Sequence, residues 1–201
     1  QMCHAFLTDA RFYRFLFRID QKIAAEIQQT GCPHCGGVLH VADYPRKPRG
    51  LQSPLDETYR SRLSFCCATE GCRRRCTPPS ARFLGRKVYL GVMVILVTAL
   101  EHGLTPSRRR HLIDQLDLWP QTFSRWRHWW RAMFPLSRCW QAEQGNFVPP
   151  VDHYSFPASL LGRLTGGDLR RRLCRLLWLL APVTTDSYSG SMRVIVDPQK
   201  M

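Results

Sequence analysis

Two close-set cysteine pairs constrain this chain more than any other feature. Cys32-Pro-His-Cys35-Gly-Gly opens the stretch, and Phe65-Cys66-Cys67-Ala-Thr-Glu-Gly-Cys72-Arg-Arg-Arg-Cys76 closes it. Each pair can carry two thiolates to one metal from a single tight turn, while the interval between them lets the chain return. Gly36, just past the second cysteine, suits such a turn because that position often needs a positive φ. The spacing predicts a ribbon over residues 31–80 holding Zn2+ through Cys32, Cys35, Cys67 and Cys72. Cys67 and Cys72 bracket the short loop Ala68–Gly71, close to the usual length. Cys66 and Cys76 compete for the same places. The period of a strand puts Cys66 on the face opposite Cys67, and Cys76 falls in the outgoing strand. His34 and His40 are substitute ligands, and disulfide pairing is the alternative to a metal. The nine cysteines are an odd number, no secretory signal is visible, and clustered pairs fit a metal in a reducing cytosol better.

Hydrophobic spacing divides the remainder. Thr8–Gln29 reads as a helix, capped by Thr8-Asp9, with Phe12, Leu16, Ile19, Ile23 and Ile27 on one face and Gly31 at its end. Between the cysteine pairs, His40-Val-Ala-Asp-Tyr44-Pro-Arg46-Lys47-Pro-Arg49-Gly50 predicts a loop at the ribbon's tip, basic through Arg46, Lys47 and Arg49, because prolines and Gly50 forbid a central strand. Arg60–Phe65 reads as the returning strand. From Gly85 the pattern becomes helical. Gly85–Leu100 is apolar on nearly every face, and its apolar core, Val88 to Leu100, falls short of the roughly 20 residues of a membrane span. Thr105-Pro106 restarts a helix that runs to about Leu116. After a break at Asp117-Leu118-Trp119, Pro120 starts a third helix running to Phe134. Three helices with a short last turn predict a helix-turn-helix.

On that third helix, Phe123, Trp126, Trp130 and Phe134 fall on one side at 100° per residue. Gln121, Thr122, Ser124, Arg125 and His128 are left to face a partner. Glutamine and arginine are residue types that read adenine and guanine edges in forked pairs, and the first turns of a recognition helix reach the major groove. Arg108, Arg109, Arg127 and Arg131 flank this face as phosphate contacts. The net charge of +14, with arginine far outnumbering lysine, suits a polyanion partner. A solvated polar face on an ordinary bundle is the plain alternative.

The succession of zinc ribbon, apolar helix and helix-turn-helix, with Gln121-Thr122-Phe123-Ser124-Arg125-Trp126 in the third helix, resembles the DNA-binding region of bacterial insertion-sequence transposases and their companion proteins. The resemblance covers residues 31–134. Trp119 stands where such proteins usually place a serine or threonine cap, and Asp117 where they place a turn glycine. The resemblance implies binding to transposon ends or to a promoter. A full transposase also needs an acidic, two-metal nuclease fold. The 67 residues after Phe134 are too few for it, so no catalytic activity is expected.

Gly145–Pro157 reads as a linker or strap. Gly166-Gly167-Asp168 then caps an amphipathic helix with Leu169, Leu173, Leu176, Leu177 and Leu180 on one side and Arg170, Arg171, Arg172 and Arg175 on the other. That helix either packs beside the N-terminal one or meets a second copy or a transposition protein. A loose tail is expected from Val183. The reading is thus mainly α with a small zinc-bound β-ribbon: residues 1–30 an N-terminal helix, 31–80 the ribbon, 81–134 the helix-turn-helix bundle and 135–201 a linker, helix and tail. The expected function is sequence-specific binding of double-stranded DNA in the cytoplasm, at the nucleoid and away from membranes, as a transposon-associated accessory or regulator. A stand-alone transcription regulator, an RNA-binding zinc protein and a protein adaptor are the competing classes.

Overall fold

A computed structural model describes residues 9–46, 57–84, 94–95, 105–107, 110, 114, 119–165 and 167–185. Within them the chain is mostly helical with two small antiparallel sheets. Helix α1 spans Ala10–Thr30. The Asp9 carboxylate accepts from the Arg11 N–H at 2.8 Å, satisfying one of the donors a helix start leaves open. At the other end Gly31 turns with φ 87° and donates to the Ile27 carbonyl. The expected apolar face is buried, with Tyr13, Asp20 and Ala24 added to it.

The ribbon's sheet has the order β1-β4-β5, with β1 at Leu39–Val41, β4 at Phe65–Cys67 and β5 at Arg75–Cys76. Its register pairs Leu39 with Cys67 and Phe65 with Cys76. Strands β2 (Tyr44–Pro45) and β3 (Ser61–Arg62) form a second, two-stranded sheet. This corrects the expectation of plain loop from His40 through Arg46. Pro45 is tolerated because β2 pairs on one side only, so its missing N–H breaks no ladder. The returning segment is also more broken than a single strand: a helical turn α2 (Glu57–Arg60) precedes β3, and β4 follows after a gap. Lys47 and Arg49 lie outside the described residues.

Asp20 ties these pieces together. Buried on α1, its carboxylate accepts from the Ser80 hydroxyl at 2.6 Å, the Ala81 N–H at 2.7 Å and Nε of Arg82 at 2.8 Å. Arg82 is itself fully buried. It donates to the carbonyls of Tyr59 and Ser61, and its guanidinium lies over the rings of Phe17, Tyr59 and Phe83. One charged pair thus joins α1, the ribbon and the segment leaving it.

Most of Gly85–Leu100 and Thr105–Leu116 lies outside the described residues. Val94 and Ile95 are helical and buried, and Pro106, Ser107, Arg110 and Asp114 are helical and exposed. The described residues therefore do not establish the helix-turn-helix arrangement. The third helix begins as expected, with Trp119 extended and Pro120 in the first turn. As α3 it is α-helical over Pro120–His128, then widens to a π turn over Trp129–Met133 and a 3-10 turn over Phe134–Leu136. A single α-helix to Phe134 was expected. The π turn closes Phe134 N–H onto the Trp129 carbonyl, an i to i+5 bond. It thereby brings Trp129 as well as Trp130 against the Phe134 ring, at 5.3 and 5.2 Å.

The stretch read as a linker is packed structure. Helix α4 (Arg138–Glu143) is capped by the Ser137 hydroxyl, and short 3-10 turns over Gln144–Asn146 and His153–Ser155 follow. They fold Trp140, Phe147, His153 and Phe156 into one aromatic cluster with Phe134 and Trp130. Helix α5 (Ala158–Arg163) leads to α6 (Leu169–Leu180), whose N–H of Arg171 is capped by Asp168 at 2.7 Å. Leu173, Leu176, Leu177 and Leu180 are buried within the chain, and Arg170 lies over Phe12 and Phe15, so α6 folds back beside α1. Thr184 accepts from the Ser80 N–H and Thr185 donates to the Thr77 carbonyl. A loose tail was expected from Val183, but Val183–Thr185 are held in the fold by these contacts; residues 186–201 lie outside the described residues.

Candidate metal centre and nucleic-acid interface

Two knuckles present the sulfur atoms. In the first, Gly36 adopts φ 72°, its N–H bonds to the Cys32 carbonyl, and the Cys32 N–H bonds to Gly37. In the second, Cys72 and Arg73 both donate to the Thr69 carbonyl, Gly71 turns at φ 84° and Arg73 at φ 42°. Arg73 thus occupies, just past Cys72, the left-handed position that Gly36 holds just past Cys35. A β-carbon there costs about 1–2 kcal/mol, which the rest of the turn must offset.

Cys32, Cys35, Cys67 and Cys72 place their Sγ atoms within 4.8 Å of one another. Cys32 and Cys72 are 3.8 Å apart and Cys35 and Cys67 3.4 Å. A tetrahedral ion with Zn–S bonds of about 2.3 Å has sulfur–sulfur edges of about 3.8 Å. The four thiols therefore fit a metal ion, whereas a disulfide requires about 2.05 Å. All eight cysteines among the described residues are free. Cys76 lies in β5 with its sulfur 4.0 Å from that of Cys32, beside the group rather than within it. Cys66 points its thiol toward the Arg73 carbonyl, and His34 is exposed with Nδ1 against Arg74. His40 is exposed on β1 opposite Cys66.

The local electrostatics favour thiolates in the first knuckle. The N–H of His34 holds the Cys32 thiol below its ordinary value, and the N–H of Gly37 does the same for Cys35. At Cys72 the Arg74 N–H pulls downward, but desolvation and the neighbouring sulfurs outweigh it, pushing the thiol up to about 12. Desolvation, then Cys32, takes Cys76 to about 11. A cation at the centre would reverse the penalty at Cys72.

Close approach fixes one position the sequence left unassigned. A β-carbon on Gly37 would stand 2.0 Å from the Thr69 hydroxyl and 3.3 Å from the sulfurs of Cys35 and Cys67. The Gly-Gly doublet after Cys35 signalled this. Thr69, reaching in from the other knuckle, had no such signal.

On α3, Phe123, Trp126, Trp130 and Phe134 are all buried, and Gln121, Ser124, Arg125, His128 and Arg131 are exposed, with Thr122 half-buried. The angular reading of this helix holds for its buried side. Arg108 and Arg109 lie outside the described residues. Elsewhere no described helix is long and apolar enough to cross a membrane. Cys139 and Cys174 are half-buried, and desolvation raises both thiols to about 11, in keeping with a packing role.

Comparison with known proteins returns no match: no family model, no curated protein and no solved structure is significantly similar to this chain.

Proposed function

We propose that this chain is a zinc-bound, sequence-specific double-stranded DNA-binding protein, an accessory or regulator of a mobile element with no catalytic step of its own. The observation that carries the reading is α3. One side is locked by four buried aromatic residues, so the opposite side offers Gln121, Ser124, Arg125 and His128 on a rigid mount. Zn2+ on Cys32, Cys35, Cys67 and Cys72 would hold the ribbon's two knuckles together; its chemistry there is structural, since four thiolates leave no open position. The homodimer or transposition-protein partner expected at α6 would meet its arginine side, because the leucine stripe is covered within the chain. The protein would act in the cytoplasm, at the nucleoid.

The test is a random-duplex selection on zinc-loaded protein at about 150 mM salt, with single-stranded pools alongside. One enriched duplex motif is expected, and Arg125→Ala should flatten preference at one base pair by about 1–3 kcal/mol. Enrichment of stem-loops or single strands instead would make this an RNA-binding protein. Binding of neither would leave the adaptor class.

A further inference from the structure

The exposed side of α1 carries a second surface that the reading of α3 does not use. Arg11, Arg14, Arg18 and Lys22 recur at steps of three and four residues and are all exposed. At 100° per residue they fall within about 80° of one another, along about 16 Å of helix. The other exposed residues of α1, namely Gln21, Ala25, Gln28, Gln29 and Thr30, carry no charge. Its two acidic residues are withdrawn: Asp20 is buried against Arg82, and Glu26 is half-buried near the far end. Among the described residues none of the four cations makes an ion pair with a carboxylate. Arg170, lying over Phe12 and Phe15, adds a fifth positive charge beside the N-terminal half of the row.

We infer that this row is a docking surface for the phosphate backbone of a duplex, separate from the base-reading face of α3. The chemistry argues against other polyanions. An interfacial membrane helix needs a large apolar face to insert, but the large apolar residues of α1 are buried or half-buried in the core. A single strand is gripped by exposed aromatic platforms, and a protein partner by an apolar or aromatic anchor. None of the exposed large hydrophobic residues among the described ones lies on α1. What remains is an evenly spaced line of cations, suited to a line of phosphates.

Arg14→Gln/Arg18→Gln in the full zinc-loaded chain tests this by titrating a 30-base-pair duplex of scrambled sequence across a salt series. Each lost phosphate contact removes about 0.9 from the slope of log K against log salt, so the double variant should lose about two. At about 0.15 M salt that corresponds to roughly 30-fold weaker binding, equal for all sequences, with an unchanged melting temperature. An unchanged slope and affinity would overturn the inference. So would intact duplex binding accompanied by lost retention on polyglutamate or phosphatidylserine vesicles, which would make the partner an acidic protein or a membrane. The two proposals fail separately. A wild-type protein without sequence preference defeats the α3 reading while the slope change still supports the row. A sequence-selective protein whose slope ignores the double variant does the reverse.

Discussion

Replacing Asp20 by asparagine would remove one charge from the interior and leave the shape almost unchanged. Arg82 is 0 % exposed and Asp20 1 %, so the remaining guanidinium would have no water to turn to. Its Nε would face an amide in place of a carboxylate, and the Ser80 hydroxyl and Ala81 N–H would share a weaker acceptor. Breaking a buried pair by removing one partner costs about 3–5 kcal/mol. For a chain of this size each kcal/mol moves the melting temperature by about 2–4 °C, so Asp20→Asn should lower it by about 6–20 °C. Arg82→Met alone should also be costly, because the carbonyls of Tyr59 and Ser61 lose their donor. The double variant should cost less than the sum of the two, the sign of direct coupling. Thermal melting followed by circular dichroism gives all the values, and metal content should stay constant across the set, because none of these residues contacts the sulfurs. A loss below about 1 kcal/mol in Asp20→Asn, or strict additivity, would refute the claim that the pair is sealed from solvent and joins the three elements.

Other outcomes follow from the metal centre and the C-terminal half. Cys32→Ser should abolish metal binding and melt the ribbon, since structural zinc contributes on the order of 10 kcal/mol to such folds; Cys76→Ser should keep one zinc per chain by elemental analysis. Gly37→Ala must push the Thr69 hydroxyl and two sulfurs aside, and should weaken zinc about 10–100-fold in competition with a chromogenic chelator. The carboxyl of Asp152 is held below its ordinary value by the Ser155 hydroxyl and the Tyr154 N–H. A depressed folded value adds stability above the unfolded value and loses it as pH falls through the folded one. Asp152→Asn should therefore melt lower than the parent at neutral pH, and the two curves should converge in acid; a constant gap at every pH would show that the charge is not responsible.

The sequence displayed what is periodic or local. Asp9, Gly31 and Asp168 announced helix ends, the repeat of Phe123, Trp126, Trp130 and Phe134 announced a buried face, and the cysteine spacing announced two knuckles. All are set within a few residues of themselves. What escaped depends on distant partners. Asp20 looks like a surface acid on an amphipathic helix until Ser80–Arg82 arrives to bury it. Phe147, His153 and Phe156 sit among prolines, in turns and a 3-10 helix too short to show a period, so Gly145–Pro157 read as a linker. The π turn at Trp129–Met133 answers to the packing of two adjacent tryptophans, which an assumed 100° per residue cannot express. Tyr44-Pro45 formed a strand because one open edge was available to it. The cations of α1, by contrast, recur at helical steps and are legible in the sequence alone.

The threads from Thr184 and Thr185 to Ser80 and Thr77 bear on the order in which this protein is made. The hydroxyl of Thr185 reaches back 108 positions. At about 5–20 residues per second on the ribosome, the ribbon would wait roughly 5–20 s for that strand of chain to emerge. Both knuckles have left the tunnel by then, so metal capture can precede closure, and zinc would meet an N-terminal half whose exit segment is still untied. Contacts of such sequence separation also slow the last folding step. Metal capture by the four thiols and final compaction would then be separate events in the life of the nascent chain.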